Sequence, residues 1–350
     1  MKAVYRRGLP VLLTAALTAG AVGAGTPALA AGDAPTGTYK LDSNAIWTGQ
    51  TVTLTESALT DDDTEAATVS RVITWGDGAT QSAEAGSTSW THTYATARTN
   101  TVSVTLSDGT VQGPGTLASA SVAVTTPPGT LGWQKNSVYT GTDGSGRPYL
   151  TEAVFAPTGM STNATEAWTE WGDGEYTLLK EQASSTTVPH YFGPGTHTPQ
   201  VQFGDSRGKA NPRPATPLNV SIDSTSPTVA LQWPASPNRA AAWPTVRGTA
   251  KDSQAGMDYV SLVLFKWNNA SGDYVYNFGT KKWIKWTGQD FDQLPASVEN
   301  IIPVTSTGTW TSKPVAGLAK GWHFEIWPIA IDKVGNFSNP EYYAPVWLAS

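Results

Sequence analysis

The side chains here with the means to do chemistry are carboxylates, four histidines and fifteen tryptophans; cysteine is absent. His92, His190, His197 and His323 show no His-Glu-x-x-His or comparable metal-ligand spacing. There is no Gly-x-Ser-x-Gly elbow, and thiol catalysis is excluded. What remains is a carboxylate-pair hydrolase, which needs only two Asp or Glu residues. The densest acidic clusters are Asp61-Asp62-Asp63-Thr64-Glu65 and Asp290-Phe291-Asp292. Both sit in turn-like sequence and read as solvated loops, with a cation site at Asp61 and Asp63 as the alternative. Trp-Gly-Asp-Gly occurs twice, at 75–78 and 171–174. Its glycines permit positive φ, and its Asp can accept hydrogen bonds from amides just beyond it. Asp77 and Asp173 therefore read as turn clamps, with calcium ligation as the minor alternative. No other cofactor is expected.

The aromatic residues offer a different chemistry, because ring faces stack on sugars. Nine of the fifteen Trp lie after residue 226. Large aromatics also dominate buried cores, so packing is the competing reading for each of them. On a strand, Trp283 and Trp286 fall on opposite faces, so at most one is core, while Tyr274 and Tyr276 share a face. With Trp267 they form the candidate ligand-binding set.

The elements that must carry these residues are strands. With 14% charged residues, 34 Gly and 24 Pro, the chain is poor in helix formers and rich in turn residues. Apolar residues alternate at 51–55, 101–106, 120–124 and 218–222, as in strands with one face on a core. Pro127-Pro128-Gly129 and Asp223-Ser224-Thr225-Ser226-Pro227 each follow such a run and read as stiff connectors. The expectation is all-β, three tandem immunoglobulin-like β-sandwich domains at 37–126, 130–222 and 226–350. Residues 1–30 read as an export signal: Lys2, Arg6 and Arg7, an apolar run, then Ala28-Leu29-Ala30.

The first two domains read as repeats. Leu54-Thr55-Glu56 and Leu150-Thr151-Glu152 are 96 residues apart, as are Trp75 and Trp171. Trp47-Thr48-Gly49 and Tyr139-Thr140-Gly141 are 92 apart, which implies a four-residue insertion near Thr142–Arg147. Counting from Tyr94 and Tyr191, an Asp follows fourteen residues on in both copies, at Asp108 and Asp205.

This pattern resembles the polycystic-kidney-disease (PKD) repeat, an immunoglobulin-like sandwich of many bacterial secreted proteins. The family pattern is Trp-x-Phe-Gly-Asp-Gly, then His-x-Tyr, Gly, and alternating apolar residues ending in Asp. Trp75 and Trp171 take its Phe position; its Trp position falls on Ile73 and Thr169. His92 and Tyr94 match, whereas His190 directly precedes Tyr191. The Gly is kept as Gly195 and replaced by Arg98. The third domain, through 246–252, 256–260 and Ile329-Ala330-Ile331-Asp332-Lys333-Val334-Gly335-Asn336, resembles bacterial immunoglobulin-like domains; residues 266–300 read as an insertion or elaborated hairpin. Both resemblances imply spacer, adhesion or accessory binding roles, with a structural Gly-Asp-Gly turn and little catalysis.

Loss of the three basic leader residues takes the formal charge from −6 to −9, which argues against a nucleic-acid partner. No later segment approaches the roughly 18 apolar residues that span a bilayer. The expectation is a secreted, non-catalytic binding or adhesion protein, released or held non-covalently at the cell surface. Its partner is an extracellular polysaccharide or a cell-surface protein, with a ligand-free spacer as the third alternative.

Overall fold

In a computed structural model of the chain, residues 32–84, 86–180, 187–339 and 345–350 are described; the export-signal expectation lies outside them. The fold is all-β: the described residues are strands and turns, with 3-10 turns of three residues as the helical pieces. No helix among them is long and apolar enough to cross a membrane.

There are two compact units. The first holds the described residues of Met1–Asn44, Val52–His92 and Thr99–Ala123; the second holds those of Ala45–Thr51, Thr93–Arg98 and Val124–Ser350.

The first unit contains a seven-stranded sheet in the order Thr80–Ser82, Ser70–Thr74, Ser103–Ser107, Gln112–Leu117, Thr36–Leu41, Thr51–Thr60, Ser89–Thr93. Alternation sets the faces: in Thr36–Leu41 every second residue is buried, Tyr39 and Leu41 among them. The same period buries Arg71 beside Ile73. A buried guanidinium must be neutralised. Arg71 Nε donates to Glu56 Oε2 at 2.7 Å and Nη2 to Oε1 at 3.1 Å, while Nη1 donates to the Val69 carbonyl at 2.6 Å. The Tyr39 hydroxyl donates to Glu56 Oε2 at 2.8 Å, and its pKa is pushed up by burial and by that carboxylate.

The second unit has two main cores. One is built on Phe155, Trp171, Phe203, Leu218 and Val220, with Trp47 contributed by the early segment. That segment is tied in by Gln50, whose Nε2 donates to Asp205 Oδ1 at 2.6 Å and to the Gly208 carbonyl at 3.0 Å. Residues 45–51 and 93–98, which sequence places in the first module, thus belong to the second unit. The expected insertion is visible as a tight loop: Thr142 bridges Pro148, and Asp143 accepts amide hydrogens from Ser145 and Arg147.

The other core, with Trp243, Leu262, Leu264, Tyr276, Trp310, Phe324 and Ile326, includes residues of a three-stranded sheet, Thr228–Leu231, Arg247–Lys251, Thr309–Thr311, and of a six-stranded one. The larger sheet runs Lys282–Trp286, Gly272–Asn277, Met257–Asn268, His323–Asp332, Val346–Trp347, with Asn300–Pro303 also paired to Met257–Asn268. Its middle strand, Met257–Asn268, buries residues of both parities, as a strand covered on two faces must. The even residues enter the main core. The odd ones, Val263 and Phe265, join Val275, Ile284, Trp286 and Trp327 in a second apolar layer with Leu294 and Val298. Those last two belong to the segment after Trp286, which folds back through the 3-10 turns Phe291–Gln293 and Ala296–Val298. Residues 266–300 are thus a three-strand meander with a returning loop, an elaborated hairpin.

Candidate functional site

Both Gly-Asp-Gly turns clamp as their sequence suggests. Asp77 Oδ1 accepts from the Ala79 amide at 3.0 Å, and Asp173 Oδ1 from the Glu175 amide at 2.9 Å. Each also holds a histidine. His92 Nε2 lies 2.7 Å from Asp77 Oδ2, and His190 Nε2 lies 2.7 Å from Asp173 Oδ2. A carboxylate can only accept, so both rings donate from Nε2. Burial pushes both carboxyls up, but the bonds from histidine and turn amide outweigh it and leave them below the usual range. The imidazoles stack on the motif tryptophans: His92 on Trp75 at 4.9 Å and 12°, His190 on Trp171 at 4.5 Å and 8°. This repeated Trp–His–Asp stack closes a turn.

The stack also corrects the register of the repeats. His190 is the counterpart of His92, and buried Phe192, not Tyr191, is that of Tyr94; Tyr191 is 56% exposed. The Tyr-to-Asp spacing shared by the two copies therefore does not mark equivalent residues. Asp108 and Asp205 still play one role, each accepting the amide two residues on, from Thr110 and Arg207.

Among the described residues, three acidic groupings could hold a cation. Asp61, Asp62 and Asp63 each present one oxygen within 4.8 Å of the others; Asp173, Glu175 and His190 do the same with two carboxylate oxygens and a ring nitrogen. The first copy carries Ala79 in place of Glu175, so Asp77 lacks that third donor. The third grouping, Asp223, Asp252 and Asp332, was not singled out from sequence. Its turn amides already serve it: Thr225 and Ala255 donate to Asp223, Gln254 and Gly256 to Asp252, Val334 and Asn336 to Asp332. The signal was an Asp at the head of each turn, including the Asp-x-x-Gly-Asn phrase at 332–336.

The candidate aromatics separate onto two faces of the six-stranded sheet. Tyr276 is fully buried in the main core, and its hydroxyl donates to the Pro314 carbonyl at 3.2 Å. Trp283 packs against that core with its indole nitrogen donating to the Ala316 carbonyl. Tyr274 stands beside Trp322 on the same side. Lys266 fills the space these rings enclose: its Nζ is 4.5 Å from the Trp322 ring and 4.7 Å from that of Trp283, and donates to the Gly317 carbonyl. Burial holds its pKa below the usual lysine range. Tyr274, Tyr276 and Trp283 therefore serve the core and an internal cation cage.

Trp267 and Trp286 point the other way, and strand register places them in one line. Trp286 is opposite Asp273, Asp273 opposite Trp267, Trp267 opposite His323, and His323 opposite Trp347. Directly opposed residues share a face. The row Trp286, Asp273, Trp267, His323, Trp347 thus crosses five strands, about 19 Å at the spacing of a sheet. Trp267 stacks on His323 at 3.9 Å and 14°, so its other face is turned toward Asp273. There a slot of about 350 Å³ opens, bordered by Trp267, Asp273, Trp286, Phe265, Glu325 and Trp327. Trp286 is braced by Phe265 at 5.2 Å and by donation to the Gln289 carbonyl at 3.0 Å. Glu325 Oε1 accepts from Trp327 Nε1 at 2.9 Å. Trp327 also borders an apolar hollow of about 400 Å³ with Val263, Phe291, Pro295, Val298 and Ile329. His323, Glu325, Trp327 and Trp347 escaped the sequence-level set because they lie far along the chain and join the site only through strand order.

No family model matches the chain, and no curated protein matches it. Among solved structures it is similar to the FN1-FN3 domains of chicken CNTN1, at 10% identity over 90% of this chain and 99% of that one, with a TM-score of 0.28. It is also similar to a bacterial ice-binding adhesin studied for host cell surface retention (16%, 89% and 98%, TM-score 0.30) and to carbohydrate-binding modules of the beta-sandwich superfamily (15%, 88% and 99%, TM-score 0.24). Likenesses at these scores carry no inference about function.

Proposed function

We propose that this is a secreted, non-catalytic binding protein that holds an extracellular polysaccharide on the outer face of the six-stranded sheet. Its modules are taken as 37–126 and 130–222, both diverged PKD-like, and 226–350, immunoglobulin-like. The observation that carries the reading is the transverse row of three tryptophans with a carboxylate set between two of them. A sheet face that presents half-buried rings and an unpaired acid is organised for a ligand with apolar faces and hydroxyl edges. A slot of this volume falls within the ordinary range for small-ligand sites.

Asp273 and Glu325 are two strands and two residues apart, which puts their backbones about 12 Å from each other. The test is retention of the full-length protein on insoluble cellulose, chitin and cell-wall material. Retention on at least one, lost in Trp267→Ala, is expected; a protein that stays wholly in the supernatant on all three contradicts the reading. Turnover of any of them that a single Asp or Glu substitution abolishes would contradict the non-catalytic part.

A further inference from the structure

The slot has a charge as well as a shape. Asp273 stands between Trp267 and Trp286, directly opposite both on the neighbouring strands. Glu325 faces the same side from the strand beyond. Among the described residues neither Asp273 nor Glu325 is ion-paired with a basic side chain, so neither slot carboxylate is neutralised by the protein. The loop after Trp286 brings further acids, Asp290 and Asp292, and Glu299 rims the adjoining hollow.

The cations near this sheet are turned away or distant. Lys266 borders the slot, but its ammonium is held on the opposite face by Trp283, Trp322 and the Gly317 carbonyl. Lys285 pairs with Tyr274 and shares that opposite face. Lys282 does lie on the slot side, four residues from Trp286 along its strand, about 13 Å away. His323 is the remaining titratable group in the row, and one face of its ring is taken by Trp267.

Resting on the polysaccharide reading, we infer that the slot selects a sugar bearing a protonated amine, a glucosamine-type unit, and rejects uronic acids. The ring stacks against tryptophan, and the ammonium sits at Asp273 with Glu325 behind it. An ammonium forms an ion pair there on top of the hydrogen bond, which a hydroxyl or an acetamide cannot do. A uronate brings a second negative charge to an uncompensated pair, and like-charge juxtaposition is strongly unfavourable.

The test is calorimetric titration of the full-length protein with three soluble hexamers: β-1,4-glucosamine, its fully N-acetylated form, and galacturonic acid. It is run at mildly acidic pH, where the sugar amines are protonated. The glucosamine hexamer should bind roughly tenfold tighter than the acetylated one, with no heat from the uronate. Asp273→Asn should remove the difference between the first two, and raised salt should shrink it. Equal binding of the amino and acetylated hexamers overturns the inference and leaves the polysaccharide reading intact. An amino preference undiminished in Asp273→Asn combined with Glu325→Gln also overturns it, by assigning the effect to diffuse attraction toward an acidic protein. If no hexamer binds, the inference fails; the broader reading falls only if retention on insoluble polysaccharide fails too.

Discussion

Glu56 holds a buried guanidinium and a tyrosine hydroxyl at once, on the strand whose buried residues are Val52 and Leu54. Arg71 and Glu56 are 3% and 8% exposed, so removing the carboxylate leaves an uncompensated buried charge. Glu56→Ala should cost about 3–5 kcal/mol in denaturant unfolding, whereas a surface ion pair would cost under about 1. Asp77 makes a pH prediction. Its folded-state pKa lies below the ordinary 3.8, so its contribution is complete above that value and is lost as pH falls through the depressed one. Asp77→Asn should flatten the acid limb of the stability profile below about pH 4, with little change in shape near neutrality. An unchanged acid limb would mean the His92 bond contributes nothing. In sequence, Arg71, Ile73 and Trp75 alternate and so share one strand face. The Arg71 partner, Glu56, was not legible, because it arrives from another strand.

At the level of elements, the two Gly-Asp-Gly turns differ in what surrounds their first glycine. Gly76 has φ +83°, and a Cβ there would lie 2.5 Å from the backbone N and O of Thr101. Gly172 has φ +92° with nothing within 4 Å. Gly172→Ala should cost only the left-handed strain, about 1–2 kcal/mol, while Gly76→Ala should cost at least about twice that, because backbone must move. Thermal unfolding of the two variants gives the comparison, and equal losses would contradict it. The duplicated motif announced these turns plainly. It did not announce the one-residue shift that makes Phe192 rather than Tyr191 the core residue, since both are aromatic and only burial separates them. Period two did separate Trp283 from Trp286 correctly. What it could not supply was which face is open, because the returning loop covers part of one side with Leu294 and Val298 and leaves the row near Trp267 uncovered.

Across the molecule, the repeats and turn clamps are devoted to holding sandwiches together without disulfides, in a chain that has no cysteine. Uncompensated acid and half-buried tryptophan coincide on the outer face of the six-stranded sheet. The all-β architecture was readable from turn residues and alternation. The site was only half readable: Trp267 and Trp286 were in view, but His323 and Trp347 reach the row from 37 or more residues beyond Trp286. The measurement that bears most directly on the central claim compares the two faces of the sheet in the full-length protein. Polysaccharide retention is measured for Trp267→Ala, on the outer face, and for Tyr274→Ala, beside the Lys266 cage, with near-ultraviolet circular dichroism confirming that each is folded. The outer-face account predicts that Trp267→Ala releases the protein into the supernatant while Tyr274→Ala remains bound. Release by Tyr274→Ala with Trp267→Ala still bound would place binding on the opposite face and contradict it.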